Sequence, residues 1–81
     1  MDSKPVIDIY TTRICGYCHA AKRALQAEGL AYTEYDVSND YEKRAWLVEN
    51  TQQRTVPQIF IDGVSLGGYT ELRAALQAGQ I

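Results

Sequence analysis

The sequence predicts a single α/β domain in which four strands and three helices follow one another in the order β-α-β-α-β-β-α. Three observations carry this prediction. A strand-helix-strand pattern occupies the first 37 residues, which favours a parallel strand pair joined by a right-handed crossover. The dipeptide Asp62-Gly63 is a strong signal for a type I′ turn, which joins antiparallel strands. Gly67-Gly68 then interrupts the chain before a last amphipathic stretch. We therefore expect a mixed four-stranded sheet flanked by three helices.

The first half of the chain contains the strand-helix-strand pattern. Residues 6–10 are rich in β-branched side chains and predict a strand, and residues 11–14 predict a polar loop. Residues 18–28 predict a helix that Gly29 closes. Residues 31–37 alternate in polarity, which is typical of a strand with one polar face.

A second helix is predicted from the polar cluster 38–40 to about residue 50. Glu42 stands three residues after Asn39, which is the spacing of a capping box. Trp46 and Leu47 lie on adjacent faces of this helix, where we expect core packing or partial burial. The face expected to be buried consists of Tyr41, Ala45 and Val48.

The last third of the chain predicts a hairpin followed by a helix. Residues 58–61 form a short apolar strand, and residues 64–66 form its antiparallel partner across the two-residue turn. Thr70 is the expected N-cap of the final helix. The apolar stripe of that helix consists of Leu72, Ala75 and Leu76, and Gly79 follows it.

Length and composition favour one small domain, residues 1–81, outside the nucleic-acid-binding and membrane classes. The formal charge is −2 and the pI is about 5.2, so no basic footprint for nucleic acid exists. No apolar run approaches the roughly 20 residues that a membrane span requires. Residues 1–5 lack the features of a signal peptide, and two cysteines do not form a disulfide framework. We therefore expect a cytoplasmic protein.

The motif Cys15-Gly16-Tyr17-Cys18 has the spacing of a reversible dithiol/disulfide site. A thiol at a helix N-terminus meets unpaired N–H groups and the positive end of the helix dipole, which stabilise the thiolate. Cys15 is therefore the expected nucleophile, with Arg13 and Lys22 as neighbouring positive charges. Cys18 is the expected resolving thiol, which attacks a mixed disulfide on Cys15. A CxxC motif beside a βαβ pattern is typical of thioredoxin-like redox proteins.

Three other interpretations compete for the two cysteines. Packing alone explains poorly why two cysteines stand three residues apart at a helix start. A closed zinc site needs four ligands, and the chain has two cysteines and one histidine. The run from Cys15 to His19 also matches the pattern for haem c attachment, yet no export signal is evident and the only methionine is Met1. We therefore expect no metal ligand here, and His19 is expected to be a partly exposed helix residue.

Two further features lie where a substrate could meet the cysteines. Pro57 precedes the third predicted strand and restricts Val56 to an extended conformation. An extended residue there can offer its N–H and C=O to a substrate backbone, as in β-augmentation. Gly67-Gly68 permits close backbone approach, and the helix N-terminus at 69–71 offers free N–H groups to a carboxylate. An ordinary proline at a strand start and an ordinary turn stay open as simpler interpretations.

Taken in order, these segments resemble the glutaredoxin family over almost the whole chain. The resemblance implies a thioredoxin-like fold, a cis peptide bond before Pro57 and a groove that binds glutathione. It also implies a glutathione-dependent oxidoreductase that reduces protein disulfides and glutathione mixed disulfides. The matching segments are Ile9-Tyr10-Thr11, Cys15-Gly16-Tyr17-Cys18, residues 54–63, and Gly67-Gly68 with Leu72.

The resemblance further implies the residues of the site. Cys15 and Cys18 are catalytic. Val56 pairs with the cysteinyl backbone of glutathione, and Tyr17 flanks its sulfur. The γ-glutamyl carboxylate is received at the helix N-terminus, and a basic side chain meets the glycyl carboxylate. The full set of expected glutathione-binding residues is Arg13, Tyr17, Arg54, Thr55, Val56, Pro57, Gly68, Tyr69 and Thr70.

Two departures from the family pattern bear on function. Many members have lysine where this chain has Thr12, so Arg13 is the expected substitute. Gly16 stands where proline is commoner, and relatives that bind an iron–sulfur cluster often have a small residue there. The resemblance therefore leaves an alternative, a dimer in which two Cys15 thiolates and two glutathiones hold a cluster for storage or transfer. Otherwise we expect a monomer without a metal, whose partners are glutathione and disulfide-containing or glutathionylated proteins.

Overall fold

A computed structural model describes residues 4–81, so most of the N-terminal segment 1–5 discussed above lies outside the described residues. The elements follow the predicted order β-α-β-α-β-β-α, which confirms the predicted succession of strands and helices. Their bounds are β1 Ile7–Thr11, α1 Gly16–Ala27, β2 Thr33–Asp36, α2 Tyr41–Thr51, β3 Gln58–Ile61, β4 Val64–Gly67 and α3 Tyr69–Gln77.

The four strands form one mixed sheet in the order β2-β1-β3-β4. β1 pairs in parallel with β2 and antiparallel with β3, and Ile9 stands opposite Ile59 in the second pairing. β3 and β4 are antiparallel neighbours. Between them, Asp62 and Gly63 have φ values of 52° and 81°, and a type I′ turn requires positive φ at both positions. The predicted parallel pair of β1 and β2 and the predicted hairpin are both confirmed.

Helices cover both faces of the sheet. On one face, Ile9 of β1 packs with Leu25 of α1 and Leu72 of α3, and all three are fully buried. On the other face, Leu47 of α2 packs against Phe60 of β3. Successive side chains of a strand point to opposite faces, so the central strands contribute to both cores. The central strands β1 and β3 are therefore a rigid base for the loops at their ends.

The starts of α1 and α2 differ from the sequence prediction, as does the start of α3, which is capped by Gly68 and not by Thr70. α1 begins at Gly16, two residues before the predicted start, because Cys15 is itself the N-cap and its sulfur accepts the N–H of Cys18. α2 is capped by Asp40 and not by Asn39, since the Asp40 carboxylate accepts the N–H of Lys43 at 2.9 Å. Asn and Asp both suit an N-cap, so the sequence alone does not choose between Asn39 and Asp40.

The buried face of α2 also differs from the prediction. Leu47 is the residue of this helix that is buried, whereas Tyr41 is 82% exposed. Trp46 packs its ring against Phe60, with centroids 5.6 Å apart. The aromatic surface of the sheet therefore meets the side of the helix that carries Trp46 and Leu47. The predicted inner face is therefore wrong for Tyr41 and Ala45, which are exposed, whereas Val48 is half-buried and Leu47 is buried as expected.

Candidate active site

The two cysteines of the CxxC motif lie at the N-terminus of α1 and are joined by a disulfide bond. Their Cα atoms are 5.2 Å apart, an ordinary separation for a bridged pair. Cys15 is partly exposed, whereas Cys18 is only 1% exposed. A substrate can therefore reach the sulfur of Cys15, and the sulfur of Cys18 is shielded by the fold.

The electrostatic environment of Cys15 comes mainly from the helix. Its Sγ lies 3.1 Å from the backbone nitrogen of Cys18, and the first turn of α1 has no acidic residue. Lys22, expected as a neighbouring positive charge, instead forms an ion pair with Glu34 at 2.9 Å. The N–H groups and dipole of the α1 N-terminus are therefore the main influence that stabilises a Cys15 thiolate.

The segment that leads into β3 lies against the disulfide. The carbonyl oxygen of Val56 is 3.7 Å from Sγ of Cys15. The Val56–Pro57 peptide bond is cis, as the family resemblance implied. Pro57 is buried and Val56 is half-buried. The backbone of Val56 is therefore next to the sulfur that a substrate can reach.

A buried glutamine fixes the loop before this segment. Gln58 is fully buried, and its Nε2 donates to Oε1 of Gln53 and to the carbonyl of Thr55, both at 2.9 Å. Its own Oε1 is buried and has no hydrogen-bond partner among residues 4–81. An unpaired buried acceptor carries a free-energy penalty. The loop at residues 53–55 is therefore held by a side chain that is itself incompletely satisfied.

The turn between β4 and α3 forms the opposite wall of the site. Gly68 is the N-cap of α3, and the carboxylate of Glu71 accepts its N–H at 2.8 Å. The prediction of Thr70 as the N-cap is wrong, because the Glu71 side chain folds back and the helix already starts at Tyr69. A Cβ atom on Gly68 would lie 3.4 Å from the carbonyl oxygen of Pro57. The two walls approach each other closely at this point.

A cleft of about 250 Å³ lies between these walls, beside the disulfide. It brings together seven of the predicted glutathione-binding residues, which lie far apart in the sequence. Its lining also includes Gln53 and Glu71, which are not among the predicted site residues. For Glu71 a signal existed, since an acidic residue three positions after a helix cap is typical of a capping box. The lining consists of Tyr17, Gln53, Thr55, Val56, Pro57, Gly68, Tyr69, Thr70 and Glu71.

Two of the predicted residues, both arginines, lie outside the lining of the cleft. Arg13 lines a separate cavity together with Asp36 and Ser38. Hydrogen bonds from Ser38 lower the pKa of Asp36 below its ordinary value, and the Arg13 charge acts in the same direction. Arg54 lines a cavity of about 230 Å³ that shares Val56 with the cleft. Of the two arginines, Arg54 is the one connected to the cleft by a shared wall.

A hydrogen-bonded carboxylate ties α1 to the sheet. Oε2 of Glu34 accepts from the hydroxyl of Thr11 at 2.7 Å and from Nζ of Lys22 at 2.9 Å. These bonds lower the pKa of Glu34, with the Thr11 hydroxyl as the largest cause. Thr11 is buried at the end of β1, directly before the loop that carries the cysteines. The group therefore anchors both β1 and α1 next to the site.

An aromatic pair forms one edge of the cleft. Tyr17, between the two cysteines, is 68% exposed, and its ring centroid is 5.7 Å from that of Tyr69. The hydroxyl of Tyr69 accepts a hydrogen bond from Arg73 at 2.9 Å. Arg73 therefore orients Tyr69 through its hydroxyl, and the Tyr69 ring packs beside Tyr17 of the active-site motif.

Within residues 4–81, the structure contains no group of three His, Cys, Asp or Glu side chains able to hold a metal ion. His19 is exposed on α1. No helix formed by these residues is long and apolar enough to cross a bilayer. The two sulfurs of Cys15 and Cys18 are the reactive groups beside the cleft. A reachable sulfur at a helix N-terminus beside a shielded one has the arrangement of a nucleophilic and a resolving thiol.

Comparison of the sequence with known proteins identifies relatives of this chain. Residues 7–66 match the family model described as Glutaredoxin. The chain is 38% identical over 68 residues to glutaredoxin 3 of Escherichia coli K12, an alignment that covers 84% of the chain and 82% of that relative. It is 39% identical over 77 residues to a glutaredoxin of Pseudomonas aeruginosa, with coverage of 95% and 92%.

Solved structures give the same result for the fold. The solution structure of a glutaredoxin from Brucella melitensis matches with a TM-score of 0.84 at 38% identity, and the match covers 98% of the chain and 86% of that structure. A crystal structure of a buckwheat glutaredoxin–glutathione complex matches with a TM-score of 0.85 at 26% identity, covering 94% and 72%. The predicted thioredoxin-like fold is therefore confirmed.

Proposed function

Because the chain belongs to the glutaredoxin family and is accordingly a thiol–disulfide oxidoreductase, we propose that glutathione is its reductant. Its proposed substrates are protein disulfides and glutathione mixed disulfides. The observation that carries this proposal is the cleft, whose lining includes Val56 and Gly68 and whose position is beside Cys15. The buckwheat relative was crystallised as a complex with glutathione, which supports a tripeptide in the equivalent place.

The polar groups of the cleft match those of glutathione, a γ-Glu-Cys-Gly tripeptide with two carboxylates and one amine. Val56 offers its backbone to the cysteinyl residue. The first N–H groups of α3, at Tyr69 and Thr70, have no intrahelical partner and suit the γ-glutamyl carboxylate. Glu71 bonds the N–H of Gly68 through one oxygen, Oε1, so its second oxygen is available for the amine. Each charged end of the γ-glutamyl residue therefore has a partner of opposite polarity.

The glycyl carboxylate needs a basic partner, and Arg54 is the better candidate. It lines a cavity that adjoins the cleft through a shared wall at Val56. Arg13 lines a cavity with Asp36, and its charge acts on that carboxylate. We therefore assign the glycyl end to Arg54, with Arg13 as the alternative.

The proposed reaction is a sequence of thiol–disulfide exchanges. The Cys15 thiolate attacks the substrate disulfide, forms a new disulfide with one sulfur and releases the other as a thiolate. In one route, glutathione attacks the substrate-side sulfur of this intermediate, forms a disulfide with it and releases the Cys15 thiolate; for a glutathione mixed disulfide the product is glutathione disulfide. In the other route, Cys18 attacks the sulfur of Cys15, and the second substrate sulfur leaves as a thiolate. When Cys18 resolves the intermediate, the Cys15–Cys18 disulfide forms. Two glutathiones reduce that disulfide in two further exchanges, which yield glutathione disulfide and restore the dithiol.

Coupled assays with two reducing systems test the reductant. We expect turnover with NADPH, glutathione reductase and glutathione, because the cleft offers glutathione its charged partners. Turnover with NADPH and thioredoxin reductase, and none with glutathione, would contradict the proposal.

We further propose that the protein acts in the cytoplasm as a monomeric single domain, without nucleic-acid or membrane partners. Sedimentation of the reduced protein tests the monomer.

Iron–sulfur cluster binding is the second candidate function, and one observation favours it. A Cβ atom on the exposed Gly16 would meet nothing within 4 Å, so the fold of the chain itself does not need a glycine there. The chain alone does not fit a cluster, since Cys18 is buried and Cys15 is one thiol of the four that a cluster requires. Two chains and two glutathiones would supply four. A bound cluster would serve storage or transfer.

A further inference from the structure

A second groove, behind the cleft, carries two arginines without acidic partners. It has a volume of about 610 Å³ and lies between α1 and α3, with Arg23 on one side and Arg73 on the other. We call it the α1–α3 groove. Among residues 4–81, the only ion pair joins Lys22 and Glu34. Within the described chain, both arginines therefore present unneutralised charge to this groove.

Arg73 is held in place without being neutralised. Its Nη1 donates to the hydroxyl of Tyr69 at 2.9 Å, and its Cζ lies 5.8 Å from the centre of the Tyr69 ring. A phenol is a neutral acceptor, and a guanidinium has five N–H donors. One bond to Tyr69 thus orients the group and leaves most of its donors free. Such a pre-organised guanidinium is well suited to a carboxylate.

The α1–α3 groove adjoins the active-site cleft. Tyr69 lines both the groove and the cleft. On the cleft side its ring meets that of Tyr17, which stands between the two cysteines. A polypeptide whose disulfide is held at Cys15 can therefore run across the two tyrosine rings and reach Arg73.

The end of the groove nearest the cysteines is basic, although the whole chain has a net charge of −2. Arg23 lines this end, and helix α1, Gly16–Ala27, has no acidic residue. Glu28 also lines the groove. It stands five residues beyond Arg23, roughly 7.5 Å further along the helix axis and away from the cysteines. The acidic residue is thus at the far end.

We propose that the α1–α3 groove docks acidic segments of protein substrates, with Arg23 and Arg73 binding carboxylates next to the target disulfide. The occupant is the substrate polypeptide and not glutathione, whose cleft lies on the other side of the Tyr69 ring. The inference rests on the proposed reduction of protein disulfides but not on glutathione as the reductant. Charge complementarity of this kind mainly raises association rates, so we expect its effect in the second-order rate constant for the reaction of the enzyme with a protein disulfide.

A single-turnover assay without glutathione tests the docking surface. Reduced protein is mixed with peptides that carry one intramolecular disulfide and differ only in three flanking residues, which are Asp, Asn or Lys. Each peptide disulfide is reduced as the enzyme dithiol is oxidised. We expect the wild type to react faster with the acidic peptide than with the basic one. Arg23→Glu and Arg73→Glu should each lower that ratio about fivefold at low ionic strength, and added salt should shrink the difference.

Lys4→Glu is the matched control, because it makes the same change in net charge at an exposed position outside the α1–α3 groove. Its acidic-to-basic ratio should stay within about twofold of the wild type, as screening predicts. Arg73→Glu also removes the hydrogen bond to Tyr69. If the two variants give different results, the result for Arg23→Glu therefore decides. A wild-type ratio near one, or an equal change in Lys4→Glu, would overturn the docking proposal. Failure of the folded wild type to reduce any peptide would overturn the reduction of protein disulfides itself.

Discussion

Sγ of Cys15 lies 3.7 Å from the carbonyl oxygen of Val56, although 41 positions separate the two residues in the sequence. The backbone nitrogen of Cys18 lies closer to the same sulfur, at 3.1 Å. The carbonyl presents the negative end of its dipole and the N–H presents the positive end. Because the N–H is nearer and belongs to a helix N-terminus, the balance favours negative charge on the sulfur.

The first prediction follows from this balance. In the reduced protein, the pKa of Cys15 should lie well below that of a free thiol, in the range of roughly 3.5 to 7.5 found for activated cysteines. Cys18 should titrate higher, because it is buried. Ultraviolet absorbance of the thiolate, measured against pH in Cys15→Ser and in Cys18→Ser, separates the two thiols. Equal, high pKa values in both variants would contradict the assignment.

The same two variants separate the catalytic roles. Cys15→Ser should abolish activity, because the nucleophile is lost. Cys18→Ser should keep the reduction of glutathione mixed disulfides, which needs one thiol, and lose the dithiol route to protein disulfides. If Cys18→Ser lost both activities while remaining folded by circular dichroism, Cys18 would have more than a resolving role.

The second prediction concerns Gln58→Met. The substitution removes the hydrogen bonds to Gln53 and Thr55, both exposed and able to bond water instead, and it also removes the unpaired Oε1. These effects offset each other, so the free energy of unfolding in urea should change by no more than about 1 kcal/mol. The KM for a glutathione mixed disulfide should rise severalfold, because the loop at 53–55 loosens.

Alkylation of Cys15 by iodoacetamide is the internal control for Gln58→Met. Its rate should match that of the wild type, since neither hydrogen bond of the Gln58 amide involves the sulfur of Cys15. An unchanged KM would mean that the loop keeps its position without Gln58. A fall in the alkylation rate would mean that the substitution disturbs the cysteines directly.

The third prediction concerns Gly67→Ala. Gly67 has φ of +124°, and a Cβ atom there would lie 2.8 Å from both Cγ and Oε1 of Glu71. The new methyl group would strain the backbone and push away the carboxylate that caps Gly68. We expect the free energy of unfolding in urea to fall by roughly 2–3 kcal/mol. Gly29→Ala is the control, because Gly29 also has positive φ but nothing within 4 Å of its Cβ position. It should lose only about 1 kcal/mol, because its φ of +68° lies in the left-handed helical region that alanine can enter. Equal losses would mean that neither the φ of +124° nor the displacement of Glu71 adds to the cost at Gly67.

The fourth prediction is a pH dependence that comes from Glu34. Its pKa is lowered in the folded protein, so its contribution to stability is present at neutral pH and is lost as the pH falls through its folded pKa. The side chain is 35% exposed, so the contribution is a fraction of 1 kcal/mol. Glu34→Gln should therefore be slightly less stable than the wild type at pH 7 and nearly equal to it at pH 3. Urea unfolding at the two pH values measures this difference.

Glu49→Gln provides the comparison for Glu34. Glu49 is exposed on α2, and its carboxylate makes no ion pair or hydrogen bond among residues 4–81. Its substitution should give the same small difference from the wild type at both pH values. A Glu34→Gln difference that does not shrink at pH 3 would show that the effect comes from packing and not from charge.

The order of elements could be predicted from the sequence because its signals are local. Asp62-Gly63 determines the hairpin turn, and the alternation of side chains identifies the strands. Which of the two candidate faces of α2 is the inner one could not, because the choice depends on contact between Trp46 and Phe60, which belong to different elements. Local signals place an element in the chain, and only tertiary packing chooses its inner face.

The candidate site divides in the same way. The motif at Cys15 and Cys18 was evident from spacing, and the family resemblance supplied most of the cleft lining. The pattern predicts Gln58 only as a strand residue, since nothing in the sequence links its amide to Thr55. Lys22 was expected near Cys15, and its pairing with Glu34 depends on how α1 packs beside β2. Side-chain partners that lie far apart in sequence escape a local analysis.

The last prediction tests the cluster alternative through Gly16→Pro. Gly16 is the first residue of α1, where proline is well tolerated, and a Cβ atom there meets nothing within 4 Å. The variant should therefore keep its fold and its thiol activity.

Under the cluster alternative, wild-type protein reconstituted without air with iron, sulfide and glutathione should form a brown dimer. Gly16→Pro should remain a colourless monomer, because the ring fixes φ and crowds an approaching partner. Cys15→Ser should also stay colourless, since it lacks the thiolate ligand. A wild type that stays monomeric without visible absorption would leave the oxidoreductase as the only function, and a brown dimer of Gly16→Pro would show that the glycine does not control assembly.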